Sequence, residues 1–270
     1  MDKIINCKDL AQKIKEEVKE KAKDKNYKLT VLTNPQDEAG KVYVRNKRKA
    51  CEYCGIEFEE IPLHKESYID DLYRVLRMET NPLIVQLPTS NDLSKETLNC
   101  LKELTDDPYR DVDGFTKNTL VDPCTPKGII KILDEINCDL KGKHVVVVGR
   151  SNIVGKPIAR MCLERDATVT VCHSKTRNLK EMTKQADVLI VACGQPKLIT
   201  KQYVKKGAVV VDVGIHRIGG KLCGDVDTES VLPKVSRIAK SPGGVGLLTV
   251  ACLMENVVEL YERKYAKKGN

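Results

Sequence analysis

Tyr43 and Lys47 stand four residues apart in KVYVRNKRK, so a helix through this stretch carries both on one face. Such a pair is by default a surface pair. Gln86 comes late in the apolar run LIVQLP (83–88), and a polar group at the carboxyl end of a strand is where open α/β sheets hold ligands. Asp111 and Asp113 follow in RDVDGF. Aspartates there either shape the turn or accept hydrogen bonds from a ligand, and the spacing leaves both open, for Asp111 especially.

A second chemistry-bearing stretch is VVVVGRSNIVGKP (145–157). A β-branched run, a glycine turn and a second glycine are how a strand–turn–helix phosphate site begins. The spelling departs from the usual dinucleotide fingerprint: Ser151 occupies the middle glycine position, and the last glycine, Gly155, is displaced by one. An NAD site also wants an acid at the end of the next strand, to accept from a ribose hydroxyl. Here ATVTVC (167–172) runs into His173, Ser174, Lys175, Thr176 and Arg177, with no acid. A hydroxyl, two cations and a histidine suit an added phosphate, and Arg150 can reach the same point, so this chemistry favours NADP over NAD. A further glycine-dense loop, SPGGVGLLT (241–249), offers Gly243 and Gly244 either to a flat ligand or as a hinge.

The elements that must position these groups come in two α/β series. Apolar spacing predicts a helix over 7–24, a strand over 28–33, a helix over 38–54 ending at Gly55, a strand over 58–63, a helix over 68–78, a strand over 83–88 and a helix from Ser94 to Leu104. A break rich in Pro, Asp and Gly fills 106–126. Beyond it Thr125 is expected as N-cap, with Pro126 at the first helical position of a helix to about residue 136. Strands follow at 144–149, 167–172, 187–193 and 208–214, helices from Gly155 and over 178–184, and a last helix from Thr249 to about Lys267. The strands are continuous apolar runs, as in a parallel sheet covered on both faces. The fold class is α/β, two α/β domains with the break near residue 120.

Bulk properties narrow the partners. The chain has 270 residues and a formal net charge of +8, but the excess is spread along helix faces, Trp is absent and Phe numbers two. Nucleic-acid binding is not expected. No apolar run approaches the roughly 20 residues of a membrane span, so no membrane is expected either. The 11 cysteines are scattered and unpaired in pattern, which fits a reducing compartment and a cytoplasmic protein. Cys51 and Cys54 form a lone CxxC without the second pair a zinc site needs, so partial burial on a helix is expected and no metal.

Tyr43-x-x-x-Lys47, VQLP (85–88), DVDGF (111–115), PCTP (123–126), GRSNIVGKP (149–157), CHSKT (172–176), GDVD (224–227) and PGGVG (242–246) occur in order. The ordered set resembles the bifunctional methylenetetrahydrofolate dehydrogenase/cyclohydrolase family, over almost the whole chain. The resemblance implies NADP⁺-dependent oxidation of 5,10-methylenetetrahydrofolate to the methenyl cation. Hydrolysis at the same site then yields 10-formyltetrahydrofolate for one-carbon metabolism. It implies a folate cleft between a catalytic domain, 1–122 completed by helix 249–270, and a Rossmann-type doubly wound NADP domain, 123–248. A homodimer through the nucleotide domain is implied as well.

The resemblance also distributes roles. Lys47 is the proton-transfer group, Gln86 holds its amine, Tyr43 stacks or hydrogen-bonds along the substrate, and Asp113 binds the pterin. Leu87, Gly243 and Gly244 touch the substrate. Gly149, Arg150 and Ser151 lie near the cofactor phosphates, Ser174 near the ribose 2′-phosphate and Ile215 at the nicotinamide. Cys124 is expected to pack rather than react. The chain departs from the family at Gly40, usually serine, at Arg110, usually lysine, and at Ala239, Lys240, Ser241 and Leu247. The rival readings are a monofunctional dehydrogenase using NAD, a non-catalytic folate- or nucleotide-binding regulator, and a shikimate-type dehydrogenase.

Overall fold

A computed structural model describes residues 2–63, 67–78, 81–86 and 107–268. The helix expected from Ser94 to Leu104, together with Leu87 and Pro88, lies outside the described residues. The chain divides into two compact units, one of residues 13–124 and 250–270, the other of residues 1–12 and 125–249.

The unit of residues 13–124 and 250–270 is built on a parallel sheet of β1 (Lys28–Thr33), β2 (Glu57–Pro62) and β3 (Leu83–Val85), in the order β2-β1-β3. Central β1 is almost wholly buried, as a strand with neighbours on both edges and apolar runs on both faces must be. The helices are α1 (Cys7–Ala22), which begins in the other unit, α2 (Glu38–Cys54) and α3 (Tyr68–Met78). Asp37 caps α2 by accepting from the Gly40 N–H at 3.0 Å, and Gly55 ends it in the left-handed conformation, φ 72°. Leu32, Leu63, Leu72, Leu76, Leu83 and Val85 form a core between α3 and the sheet. Cys51 and Cys54 are fully buried, beyond the partial burial expected: the Cys51 thiol lies 3.5 Å from the Met254 sulfur and the Cys54 thiol donates to the Lys15 carbonyl.

The other unit carries a five-stranded parallel sheet of β4 (His144–Val148), β5 (Thr168–Cys172), β6 (Val188–Val191), β7 (Val209–Asp212) and β10 (Arg237–Ala239). Its order is β10-β7-β6-β4-β5. The chain starts in the sheet, steps one way to β5 and then crosses back to β6. That reversal is the topological switch point of a doubly wound fold, and ligands bind outside the strand ends there. The covering helices include α4 (Cys124–Glu135), α5 (Gly155–Leu163) and α6 (Leu179–Thr183). α4 starts one residue before the expected cap, so Thr125 and Pro126 sit in its first turn, where a missing N–H costs nothing. Thr125 Oγ1 instead lies 3.0 Å from Thr249 Oγ1.

Several short pieces, β10 among them, had no sequence expectation. A hairpin of β8 (His216–Ile218) and β9 (Lys221–Cys223) turns at Gly219 and Gly220, both at positive φ, the backbone that a two-residue hairpin demands. A short α7 (Thr228–Val231) follows it. Residues 1–12 group with residues 125–249: Ile4 bridges Ile238 of β10, and Ile5 N–H donates to the Ile238 carbonyl at 2.9 Å. The last helix, α8 (Val245–Lys268), begins four residues before the expected Thr249 and enters the first-described unit from Val250 onward.

Candidate active site and nucleotide turn

α2 presents Lys47 half-buried and Tyr43 about half exposed. The Lys47 Nζ donates to Gln86 Oε1 at 2.8 Å. Gln86 is set by the sheet: its N–H donates to the Leu32 carbonyl at 2.9 Å, extending the β1–β3 ladder one residue past β3. An ammonium has no acceptor capacity, so the amide oxygen must face it. Burial lowers the Lys47 proton affinity below that of an ordinary lysine, while Asp113, Cys124 and Cys51 act the other way. Burial also pushes the Asp113 carboxyl up to about 6, with Lys47 pulling it down and Asp111 adding to the rise.

The loop carrying Asp113 is rigidly specified. Asp111 is turn-forming: its carboxylate accepts from the N–H groups of Gly114, Phe115 and Thr116 at 3.0, 3.2 and 2.8 Å. Gly114 sits at φ 71°, and a Cβ there would stand 2.8 Å from both the Pro123 nitrogen and the Val121 carbonyl oxygen. Fully buried Asn256 of α8 donates to the carbonyls of Val112 and Asp122, each at 2.9 Å, clamping both ends of the loop. Cys124 is buried with its thiol 3.5 Å from the Val112 carbonyl, in a packing role.

Two departures from the family pattern have local causes. Arg110 is buried and donates to the Leu76 carbonyl at 2.6 Å, tying the loop to α3. A Cβ at Gly40 would stand 2.7 Å from Asp37 Oδ2, so the glycine leaves room for the capping carboxylate. A cavity of about 380 Å³ opens beside this cap, lined by Thr33, Asn34, Gly40, Lys41, Glu60 and Gln86 among others.

In the other unit, Gly149 ends β4 at φ 128°, and any Cβ would overlap the Ala192 carbonyl oxygen. A Cβ on Gly155 would overlap the Gly149 carbonyl, so the displaced glycine performs the close strand–helix contact of the usual third glycine. Ser151 turns its hydroxyl inward, accepting from the N–H groups of Val154 and Gly155, both at 3.2 Å. Arg150 and Ser174 are exposed, each two residues beyond the paired strand ends Val148 and Cys172. Ile215 is 49% exposed, just past β7. Gly243 lies at φ 95°, and a Cβ on Gly244 would overlap the Lys240 carbonyl. The structure thus brings Lys47, Gln86 and Asp113 together in one unit, while Gly243, Gly244 and the nucleotide-turn residues belong to the other. Leu87 lies outside the described residues.

Two buried carboxylates escaped the sequence reading. Asp212 accepts from Gly214, Asp225 and Val226 N–H groups at 3.2, 3.0 and 3.1 Å. Asp225 accepts from Cys193 and Gly194 N–H at 2.7 and 3.0 Å and from His216 Nε2 at 2.7 Å. A Cβ on Gly214 would overlap the Asp225 carboxylate, and one on Gly224 the Asp212 carboxylate. This reciprocal fit explains why Asp212 is followed by Gly214 and Asp225 preceded by Gly224. The only available signal was the repeated pairing of aspartate with glycine.

A doubly wound nucleotide-type sheet, with a second α/β unit holding a lysine–amide–carboxylate set, defines a nucleotide-dependent enzyme with proton-transfer capacity. Family models for the tetrahydrofolate dehydrogenase/cyclohydrolase catalytic domain and NAD(P)-binding domain match residues 5–113 and 123–265. The chain belongs to the tetrahydrofolate dehydrogenase/cyclohydrolase family. It is 44% identical to the bifunctional protein FolD of Agathobacter rectalis, over 97% of this chain and 100% of that one. A crystal structure of the bifunctional FolD dehydrogenase/cyclohydrolase from Campylobacter jejuni superposes with a TM-score of 0.88 at 39% identity, covering 97% of this chain and 99% of that one. The Trypanosoma brucei FolD structure, complexed with NADP cofactor and an inhibitor, gives 0.87 at 28% identity over 97% and 98%. These matches set aside the shikimate-type reading.

Proposed function

We propose that the chain oxidises 5,10-methylenetetrahydrofolate with NADP⁺ and hydrolyses the methenyl product to 10-formyltetrahydrofolate. The observation that carries the reading is the 2.8 Å bond from Lys47 to Gln86 in the unit that also holds Asp113. NADP⁺, when bound, accepts the hydride. Gly149, Arg150 and Ser151 would hold its phosphates, Ser174 its ribose 2′-phosphate, and Ile215 would meet its nicotinamide. The bare glycine backbone of the turn and the exposed Arg150 fit such a group.

Hydride departure from carbon needs no base, so the protein's work in that half is orientation. Ionised Asp113 accepts from the pterin amide N–H and amino group and fixes the ring. Tyr43, Leu87, Gly243 and Gly244 contact the rest of the substrate. Hydrolysis needs proton traffic. Water adds to the methenyl carbon and loses a proton to the neutral Lys47 amine. The resulting ammonium returns it to the ring nitrogen as the C–N bond opens, and the carbinol hydroxyl releases its remaining proton to solvent as the formyl C=O forms, so one proton is released net. Gln86 holds the ammonium between these events, and burial lowers its proton affinity below that of an ordinary lysine.

The same reading makes the chain a cytoplasmic homodimer paired through the nucleotide unit. β5 is an edge strand there, with Val171 exposed, and Leu163 at the end of α5 is 63% exposed. One assay tests the chemistry: purified protein with methylenetetrahydrofolate and each nicotinamide cofactor, following cofactor reduction and the methenyl intermediate together. Catalysed loss of the methenyl species supports both activities. Stoichiometric accumulation at the uncatalysed decay rate would leave a monofunctional dehydrogenase.

A further inference from the structure

His216 opens the β8–β9 hairpin directly after Ile215. Residues 217–222 are exposed. Among the described residues, the bond from His216 Nε2 to Asp225 Oδ1 at 2.7 Å is the one side-chain hydrogen bond tying residues 215–223 to the body of the sheet; the other, from Arg217 to the Gly220 carbonyl, stays inside the hairpin. Facing a carboxylate, the imidazole must carry its proton on Nε2. Asp225 is fully buried, and its second oxygen accepts from Cys193 and Gly194 just past β6. Ala192, immediately before them, is the residue whose carbonyl packs against Gly149.

A continuous set of short contacts therefore runs from the phosphate turn through the end of β6 to Asp225, His216 and Ile215. It spans the loops after β4, β6 and β7, of which those after β4 and β6 flank the switch point of the sheet. Removing the imidazole would leave a buried carboxylate oxygen without its donor and the hairpin without its anchor, far from Lys47 in sequence and in the other unit.

We propose that His216 is a positioning residue for hydride transfer: through Asp225 it holds Ile215 and the hairpin in register with the phosphate turn, so that the nicotinamide half of the bound cofactor is seated. This rests on the NADP reading above. It goes beyond that reading in assigning a role to a residue that need not touch the cofactor.

The test compares His216→Leu, which removes the donor, with His216→Gln, whose amide nitrogen reaches about as far as Nε2. Three quantities are measured for each: the KM and kcat with NADP⁺, the affinity for adenosine 2′,5′-bisphosphate, and hydrolysis of added methenyltetrahydrofolate without nucleotide. His216→Leu is expected to raise the KM for NADP⁺ or lower the dehydrogenase kcat by about tenfold or more, the scale of one hydrogen bond to a charged group. Bisphosphate affinity and hydrolysis should stay within about twofold, because neither uses the nicotinamide seat. His216→Gln should recover most of the loss. Unchanged dehydrogenase kinetics in His216→Leu would overturn the proposal, as would a parallel fall in all three quantities, which would make His216 a folding residue only. Parent protein that binds the bisphosphate but not NADP⁺ would sink the nucleotide reading itself, and this inference with it.

Discussion

The Lys47 ammonium and the Gln86 amide oxygen meet at 2.8 Å although 39 residues separate them. One rides on α2 and the other on the rung that extends β3, so a helix and a sheet edge jointly set the proton carrier. Burial weakens the hold of Lys47 on its proton, and neighbouring Asp113 tempers that effect.

Lys47→Met keeps the stem and removes the carrier. Hydrolysis of methenyltetrahydrofolate should fall by about 10²–10⁴-fold, the range of lost general acid–base catalysis. Dehydrogenase turnover should remain measurable and the methenyl species should accumulate, as a continuous absorbance assay would show. Near-normal hydrolysis by this variant would refute the role of Lys47.

Asp113→Ala should impair both activities, since each requires the pterin held. Survival of folate affinity and both rates would show the contact to be wrongly assigned. The folded-state carboxyl, raised to about 6 from 3.8, keeps a proton that the unfolded chain releases. Its contribution to stability is therefore lost as pH rises from about 4 to 6 and is flat above. Folate affinity runs the opposite way, tightening through pH 6 as the acceptor ionises. Burial raises Asp212 as well, to about 7, so the comparison is between Asp113→Asn and parent. Denaturation midpoints at pH 4.5 and 7 should differ less in the variant.

Arg150→Ala should weaken NADP⁺ much more than NAD⁺. Loss of one charge-assisted contact to phosphate is worth roughly 1.5–3 kcal/mol. Titration of both cofactors decides it, and equal weakening would mean that Arg150 does not read the 2′-phosphate.

Asn256→Leu strips both hydrogen bonds that clamp the ends of the Asp113 loop. Two buried carbonyls losing a donor cost on the order of 1–3 kcal/mol each at most. A lowered denaturation midpoint and a raised KM for folate in both activities are expected, with NADP⁺ affinity unchanged. An unaltered folate KM would show that the loop holds its shape without the amide.

The linear chain determined most of the local order. The β1 and α2 bounds, 28–33 and 38–54, are those expected, because an apolar run and a helix-ending glycine are each local signals. The four-residue spacing of Tyr43 and Lys47 was likewise readable, and so was the glycine turn after β4. The short pieces β8, β9, β10 and α7 were not, since three or four residues carry too little periodicity to register. Tertiary structure alone decided the grouping of residues 1–12, which depends on pairing with β10. It also decided the clamp from Asn256 to Val112, 144 residues away, and the fit of Gly214 and Gly224 around the carboxylates of Asp225 and Asp212. Periodicity and capping act over one or two turns of chain, whereas a buried hydrogen bond or a missing Cβ matters only to whatever the fold brings against it.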